Sequence, residues 1–236
     1  MYYKKMESKN IKRYLVILFI SFSLLGKGYK FEYYFKSGER IIYLINEIQQ
    51  VSSLKSKYQD TMKMSITMID SVLFASSDSV VIMSRIKDVS GSVVLNKKKM
   101  DIPNKDKLIG TKILKTIVNG KIVKTRSINT NSKQTNPGTI YFPLPQEPIS
   151  VGDTWIDEDK EQSSRFELES VKKGIASISF IVTPKGNTEG KIYGNIFFNI
   201  SKGKIINESL KSELFVKSRW RKVFHITGSA NIERVQ

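Results

Sequence analysis

The sequence predicts an all-β, mainly antiparallel protein whose strands form a single large curved sheet, half-barrel or barrel-like, behind an N-terminal signal helix. Three observations predict it. Short apolar runs follow a period of two and are separated by glycine-bearing turns. Helical periodicity is scarce, and 236 residues fit one large sandwich or barrel-sized unit. No cysteine occurs anywhere, so disulfides and thiolate-held metals cannot frame the fold and the core must hold it together. With 40% hydrophobic and 26% charged residues, the chain can bury a true interior and is not a polytopic membrane protein.

Residues 1–28 read as a signal peptide. Lys4, Lys5, Lys9, Lys12 and Arg13 form a basic region, Tyr14 to Leu25 an uninterrupted apolar run of 12, and Gly26-Lys27-Gly28 a small-x-small cleavage site. Lys27 ends the run well short of the about 20 apolar residues that span a bilayer. Cleavage is expected after Gly28, which implies a periplasmic or secreted protein. An uncleaved segment would instead give membrane association.

Residues 29–236 are expected to form a single β-rich domain. Ser37-Gly38 is its first turn. Ile41 to Ser53 has helical propensity in part, but its β-branched and bulky start favours a long strand. Met62, Met64, Ile66 and Met68 share one face of the next strand, with Lys63, Ser65 and Thr67 on the other. A helix fits between Pro103 and Lys115. Asn119-Gly120 supplies the two positive-φ positions of a tight hairpin turn between Thr116 and Val123. A proline-rich connection at 136–148 holds four of the six prolines and separates a front half from a back half.

Turns follow at Lys172-Lys173-Gly174, Lys185-Gly186-Asn187 and Lys202-Gly203. Ile206, Leu210, Leu214, Val216 and Trp220 then share one parity, and Phe224, Ile226, Ala230 and Ile232 continue it to the chain end. Strands with one wet face belong to antiparallel sheets, because parallel sheets are covered on both sides.

The stretch from Ile140 to Trp155, IYFPLPQEPISVGDTW, resembles a segment of exported bacterial proteins of unknown function. In that group a proline-rich, Val-Gly-Asp-Thr-Trp segment sits mid-domain in a β-rich chain behind a signal peptide. The overall composition resembles that of spirochaetes. The resemblance implies export and a β-rich fold and carries over no functional residue. Physically, Pro148 and Gly152 bracket a turn, Asp153 can close an Asx-turn, and Trp155 starts a strand by placing its ring in the core.

Chemistry is conspicuous by subtraction. The single histidine, His225, takes the polar parity with Thr227 and Ser229, and no nucleophile elbow accompanies it. Asp153, Asp157, Glu158, Asp159 and Glu161 lack the spacing of a calcium loop and read as a solvated turn. No phosphate-cradling glycine loop occurs. No catalytic residue, metal ligand or cofactor is assigned, and the ligand-binding residues are unknown.

The formal charge of +17 falls to +12 once residues 1–28 are set aside, a surface suited to lipid headgroups or another anionic envelope component. Lys97-Lys98-Lys99 with Lys105 and Lys107, and Arg219-Trp220-Arg221-Lys222, are its densest clusters. Behind an export signal these do not point to nucleic acid. The sequence therefore leads to a non-enzymatic envelope protein that binds or carries a lipid or other amphipathic ligand, the methionine stripe being a candidate surface. The alternative is an outer-membrane β-barrel or surface adhesin.

Overall fold

The computed structural model describes residues 28–54, 59–95, 97–118, 121–128, 141–218 and 221–235. The signal-peptide stretch apart from Gly28, the Asn119-Gly120 turn, residues 136–140 of the proline-rich connection and Arg219-Trp220 lie outside the described residues.

The front half folds into β1 (Arg40–Ser53), β2 (Gln59–Ala75), β3 (Ser79–Leu95), β4 (Lys98–Asp101), α1 (Lys105–Leu108), β5 (Lys112–Val118) and β6 (Lys121–Ser127). The back half gives β7 (Thr154–Glu158), β8 (Gln162–Lys172), β9 (Ile175–Pro184), β10 (Thr188–Asn199), β11 (Lys204–Ser218) and β12 (Arg221–Arg234). Ile41 to Ser53 is a strand, as its residues require, and the helix between Pro103 and Lys115 shrinks to the single turn of α1. The turns at Ser37-Gly38, Lys173-Gly174, Gly186-Asn187 and Lys202-Gly203 fall where the glycines place them.

Among the described residues, all twelve strands join one antiparallel sheet in the order β6-β5-β3-β2-β1-β12-β11-β10-β9-β8-β7, with β4 also on β3. The two halves meet where the first and last strands pair, Ile45 opposite Ile232. The sheet is not closed into a barrel. No ladder joins β6 to β7 among the described residues, which removes the closed outer-membrane barrel as a description of this fold.

One cross-strand row shows how the core is built. Leu168, Ile178, Ile196, Glu208, Ile232, Ile45, Ile66 and Val89 stand opposite one another through eight successive strands. All are buried. Each aliphatic member contributes about 1.5–3 kcal/mol of burial free energy. The methionine face is the inner one, with Met68 fully buried and Met62 and Met64 packed against the core.

A one-residue bulge corrects one face assignment. The β10–β11 register slips between Phe197 and Phe198, so Ile205 rather than Ile206 enters the core opposite Phe198. Strict alternation carried back from Leu210 misses this, because a bulge inverts parity on one side of itself.

Two extended segments fill the sheet's concave side. Residues 29–36 and 141–149 are tied by reciprocal backbone bonds between Tyr29 and Ile149 at 2.7 and 3.0 Å. Phe31, Tyr33 and Phe35 alternate inward while Lys30, Glu32, Tyr34 and Lys36 face out. Tyr33 meets Phe142, Tyr141 and Phe198 edge-on at 5.6–6.1 Å, and its hydroxyl both donates to and accepts from the Phe142 backbone at 3.0 Å. The interior is an aromatic plug.

Candidate functional site

The plug leaves a cavity of about 960 Å³ at one mouth of the curved sheet. Alternation in the Lys30 to Lys36 segment puts apolar rings on its floor and charges on its rim. Phe31, Tyr33, Phe35, Val80, Ile117 and Leu144 supply the apolar surface. Lys30, Lys36, Lys202, Lys204 and Arg234 supply cations, against Glu32, Glu39 and Asp78.

Several of those charges are committed to each other. Lys204 Nζ sits 2.7 Å from Glu39 Oε2 and 4.0 Å above the Phe35 ring, and Arg234 approaches the other Glu39 oxygen at 3.8 Å. Burial lowers the Lys204 ammonium below its ordinary value, while Glu39 works the other way. Lys30 pairs with Glu32 at 2.6 Å. Lys36 and Lys202 make no side-chain ion pair among the described residues, so two ammonium groups remain to meet an anion at the edge of an apolar floor.

The loops that carry these groups are fixed locally. Gly203 adopts φ +58, and its carbonyl accepts the Tyr34 N–H at 3.3 Å, which docks the β10–β11 turn on the plug. The Ser76 hydroxyl accepts the Ser79 N–H at 3.1 Å and donates to Asp78 at 2.8 Å, closing the β2–β3 turn on the other side.

Behind the plug lies a buried polar group of side chains on the inner face. Tyr141 Oη donates to Asp70 Oδ2 at 2.6 Å, and the wholly buried Lys115 lies 5.8 Å from the Tyr141 ring. Burial holds the Lys115 amine below its ordinary value, opposed by the Asp70 charge. Glu208 stands alone in the aliphatic row, and burial pushes its carboxyl up to about 8.

The residues singled out by sequence fall elsewhere. His225 is on the outer face, stacked on Phe215 at 4.4 Å with its Nε2 3.6 Å from Glu213. The acidic stretch is the β7–β8 turn, where Asp159 Oδ1 accepts the Glu161 and Gln162 N–H groups at 2.7 and 2.8 Å, which lowers its carboxyl's titration. Lys97 to Lys99 are exposed on and beside β4, away from the cavity. Asp153 Oδ2 accepts the Ser150 N–H at 2.7 Å, and Trp155 stacks on Phe166 at 5.2 Å while its Nε1 donates to Pro143 at 2.9 Å. That segment is a structural corner, as its residues suggest. The cavity residues themselves were not singled out by sequence; the one visible signal is the alternation of Phe31, Tyr33 and Phe35.

No family model and no curated protein matches the sequence. A solved structure described by the words "lipid-protein interactions in lipovitellin" matches the fold with a TM-score of 0.56 at 7% identity. The match covers 86% of this chain and 26% of that one, so the chain spans about a quarter of the length of that protein. At that identity the likeness shows the fold alone, a broad open antiparallel sheet.

Proposed function

We propose that the protein is a non-enzymatic binding or carrier protein of the bacterial envelope, taking an amphipathic ligand with an anionic head into the mouth cavity. The observation that carries this reading is the cavity itself. An aromatic and aliphatic floor beside Lys36 and Lys202 matches an acyl chain ending in a carboxylate or phosphate. The aromatic plug fills the inside of the curved sheet, which favours binding at the mouth over binding deep within the sheet. Two further features support the reading: the lipovitellin structure of similar fold is described by its lipid–protein interactions, and the basic-apolar N-terminus suits export.

Titration of the full chain with dodecanoate by calorimetry tests it. One molecule is expected to bind, dodecanol more weakly, and the Lys36→Glu, Lys202→Glu variant at least tenfold more weakly. Equal binding of dodecanoate by that variant and the parent, or none by either, overturns the reading.

A further inference from the structure

The outer face of the sheet carries a second concavity, of about 670 Å³, crossing six strands from β3 to β10. Six strands at the usual spacing give it a length of about 24 Å. Its floor is the row Gly91, Met64, Glu47, Ala230, Leu210 and Gly194, which the register sets opposite one another. Those side chains share the inward parity of Ile45 and Ile66, so the floor presents main chain to the outside. Inner-face neighbours such as Ile45, Gln49 and Met62 take no part in the lining, which puts the groove on the solvent side.

Glycine makes the crease. Gly91 has φ +138, and a Cβ there would lie 2.1 Å from the Lys63 carbonyl oxygen. At Gly194 a Cβ would lie 1.9 Å from the Ser209 carbonyl oxygen. At both positions the neighbouring strand's backbone comes so close that only glycine fits.

The two walls differ in chemistry. One is an unbroken cross-strand row of hydroxyls and amides: Ser90, Ser65, Asn46, Asn231, Ser209 and Asn195. The other, two residues along each strand and so about 7 Å away, carries Lys63, Ile48, Ser229, Lys211 and Tyr193. Tyr193 and Ile48 are 38% and 43% exposed, and Lys191 lies 5.3 Å from the Tyr193 ring. Lys63 and Lys211 have no ion-pair partner among the described residues. The one acid that lines the groove, Glu47, points to the other face.

We propose that this groove docks an anionic polysaccharide laid across the strands. Its hydroxyls meet the serine and asparagine wall, its anionic groups meet Lys63 and Lys211, and a sugar ring rests on Tyr193. A concave crease fits a single chain rather than a membrane surface. The hydroxyl and amide wall favours a polyhydroxylated chain over an acidic peptide.

Hexagalacturonate is the probe, with maltohexaose as the neutral chain and hexaglutamate as the acidic peptide, each titrated into the full-length protein. Hexagalacturonate is expected to bind, more weakly as salt rises, with the two controls at least tenfold weaker. Lys63→Glu with Lys211→Glu, and separately Tyr193→Ser, are expected to reduce binding at least tenfold. All three positions are on the solvent face, and an unchanged unfolding temperature verifies that the variants fold. Lys36→Glu with Lys202→Glu leaves this binding intact, so failure here and failure of the mouth cavity are told apart. Absence of binding, equal binding of hexaglutamate, or indifference to the groove variants overturns the proposal.

Discussion

Lys121 Nζ lies 2.5 Å from Asp157 Oδ1, tying β6 to β7, the two strands at opposite ends of the sheet's path. A sheet whose two edge strands meet through a side-chain pair, without a ladder, is curled almost to closure. On the β7 side, Trp155 Nε1 donates to the Pro143 carbonyl of the plug at 2.9 Å.

Both partners of this clasp are partly exposed, so Lys121→Ala is expected to cost less than about 1 kcal/mol in global stability. Amide exchange along β6 and β7 should nevertheless speed up, because edge strands open locally before the sheet unfolds. Hydrogen-exchange mass spectrometry of parent and variant reads this directly. Unchanged exchange at both edges would show that the pair does not restrain the seam.

Glu208 makes stability depend on pH. Its folded carboxyl titrates near 8 because burial disfavours the charge, whereas an exposed glutamate titrates near 4.3. Across that window the native state holds the proton more tightly than the unfolded chain, so stability falls as pH rises, by up to about 1.4 kcal/mol per unit. Below the window the effect is absent. Glu208→Gln is therefore expected to unfold at the parent's temperature at pH 4 and at a higher one at pH 8, measured by thermal melts.

Tyr141→Phe removes the 2.6 Å hydrogen bond to the fully buried Asp70. A buried acceptor that loses its donor is expected to cost about 1–3 kcal/mol, more while it is charged. Urea midpoints of Tyr141→Phe, Asp70→Asn and the double variant give the coupling. Additive losses would mean the two side chains do not depend on each other.

Gly203 is expected to tolerate no side chain. A Cβ would lie 2.4 Å from Tyr34 N and 2.5 Å from Glu32 O, with φ at +58. The backbone alone should cost Gly203→Ala about 1–2 kcal/mol, and the turn should lift off the plug. A lower melting temperature together with weakened dodecanoate binding is the expected result. A variant as stable as the parent would show that the turn can shift freely.

The antiparallel β character, the faces of the most strictly alternating strands and the turns at Gly38, Gly174, Gly186 and Gly203 are legible in the chain, because alternation and positive φ are properties of neighbouring residues; the turn at Gly110 falls inside the expected helix. The methionine face of β2 follows from a few residues, and so does the turn before Trp155, although the Asp153 carboxylate closes it by accepting the upstream Ser150 N–H rather than as an Asx-turn. The helix expected near Pro103 was overestimated, and Ile206 was placed in the core where Ile205 sits, because a bulge is invisible until a partner strand sets the register.

The candidate site was barely legible. Phe31, Tyr33 and Phe35 look like one more strand, and nothing local reveals that they lie inside the sheet against Phe142 and Phe198. Lys204, Glu39 and Arg234 come from three distant places in the chain. Glu208 reads as a polar interruption until seven strands place aliphatic side chains around it.

The sequence by itself determined an antiparallel β protein without disulfides, with its turns and the sidedness of its strands, since these depend on contacts within a few residues. Only the tertiary structure decided that the sheet stays open, that an aromatic plug fills it, and that one mouth and one outer crease remain concave. Those features arise from pairing residues as far apart as Ile45 and Ile232, and a pairing that remote has no period along the chain.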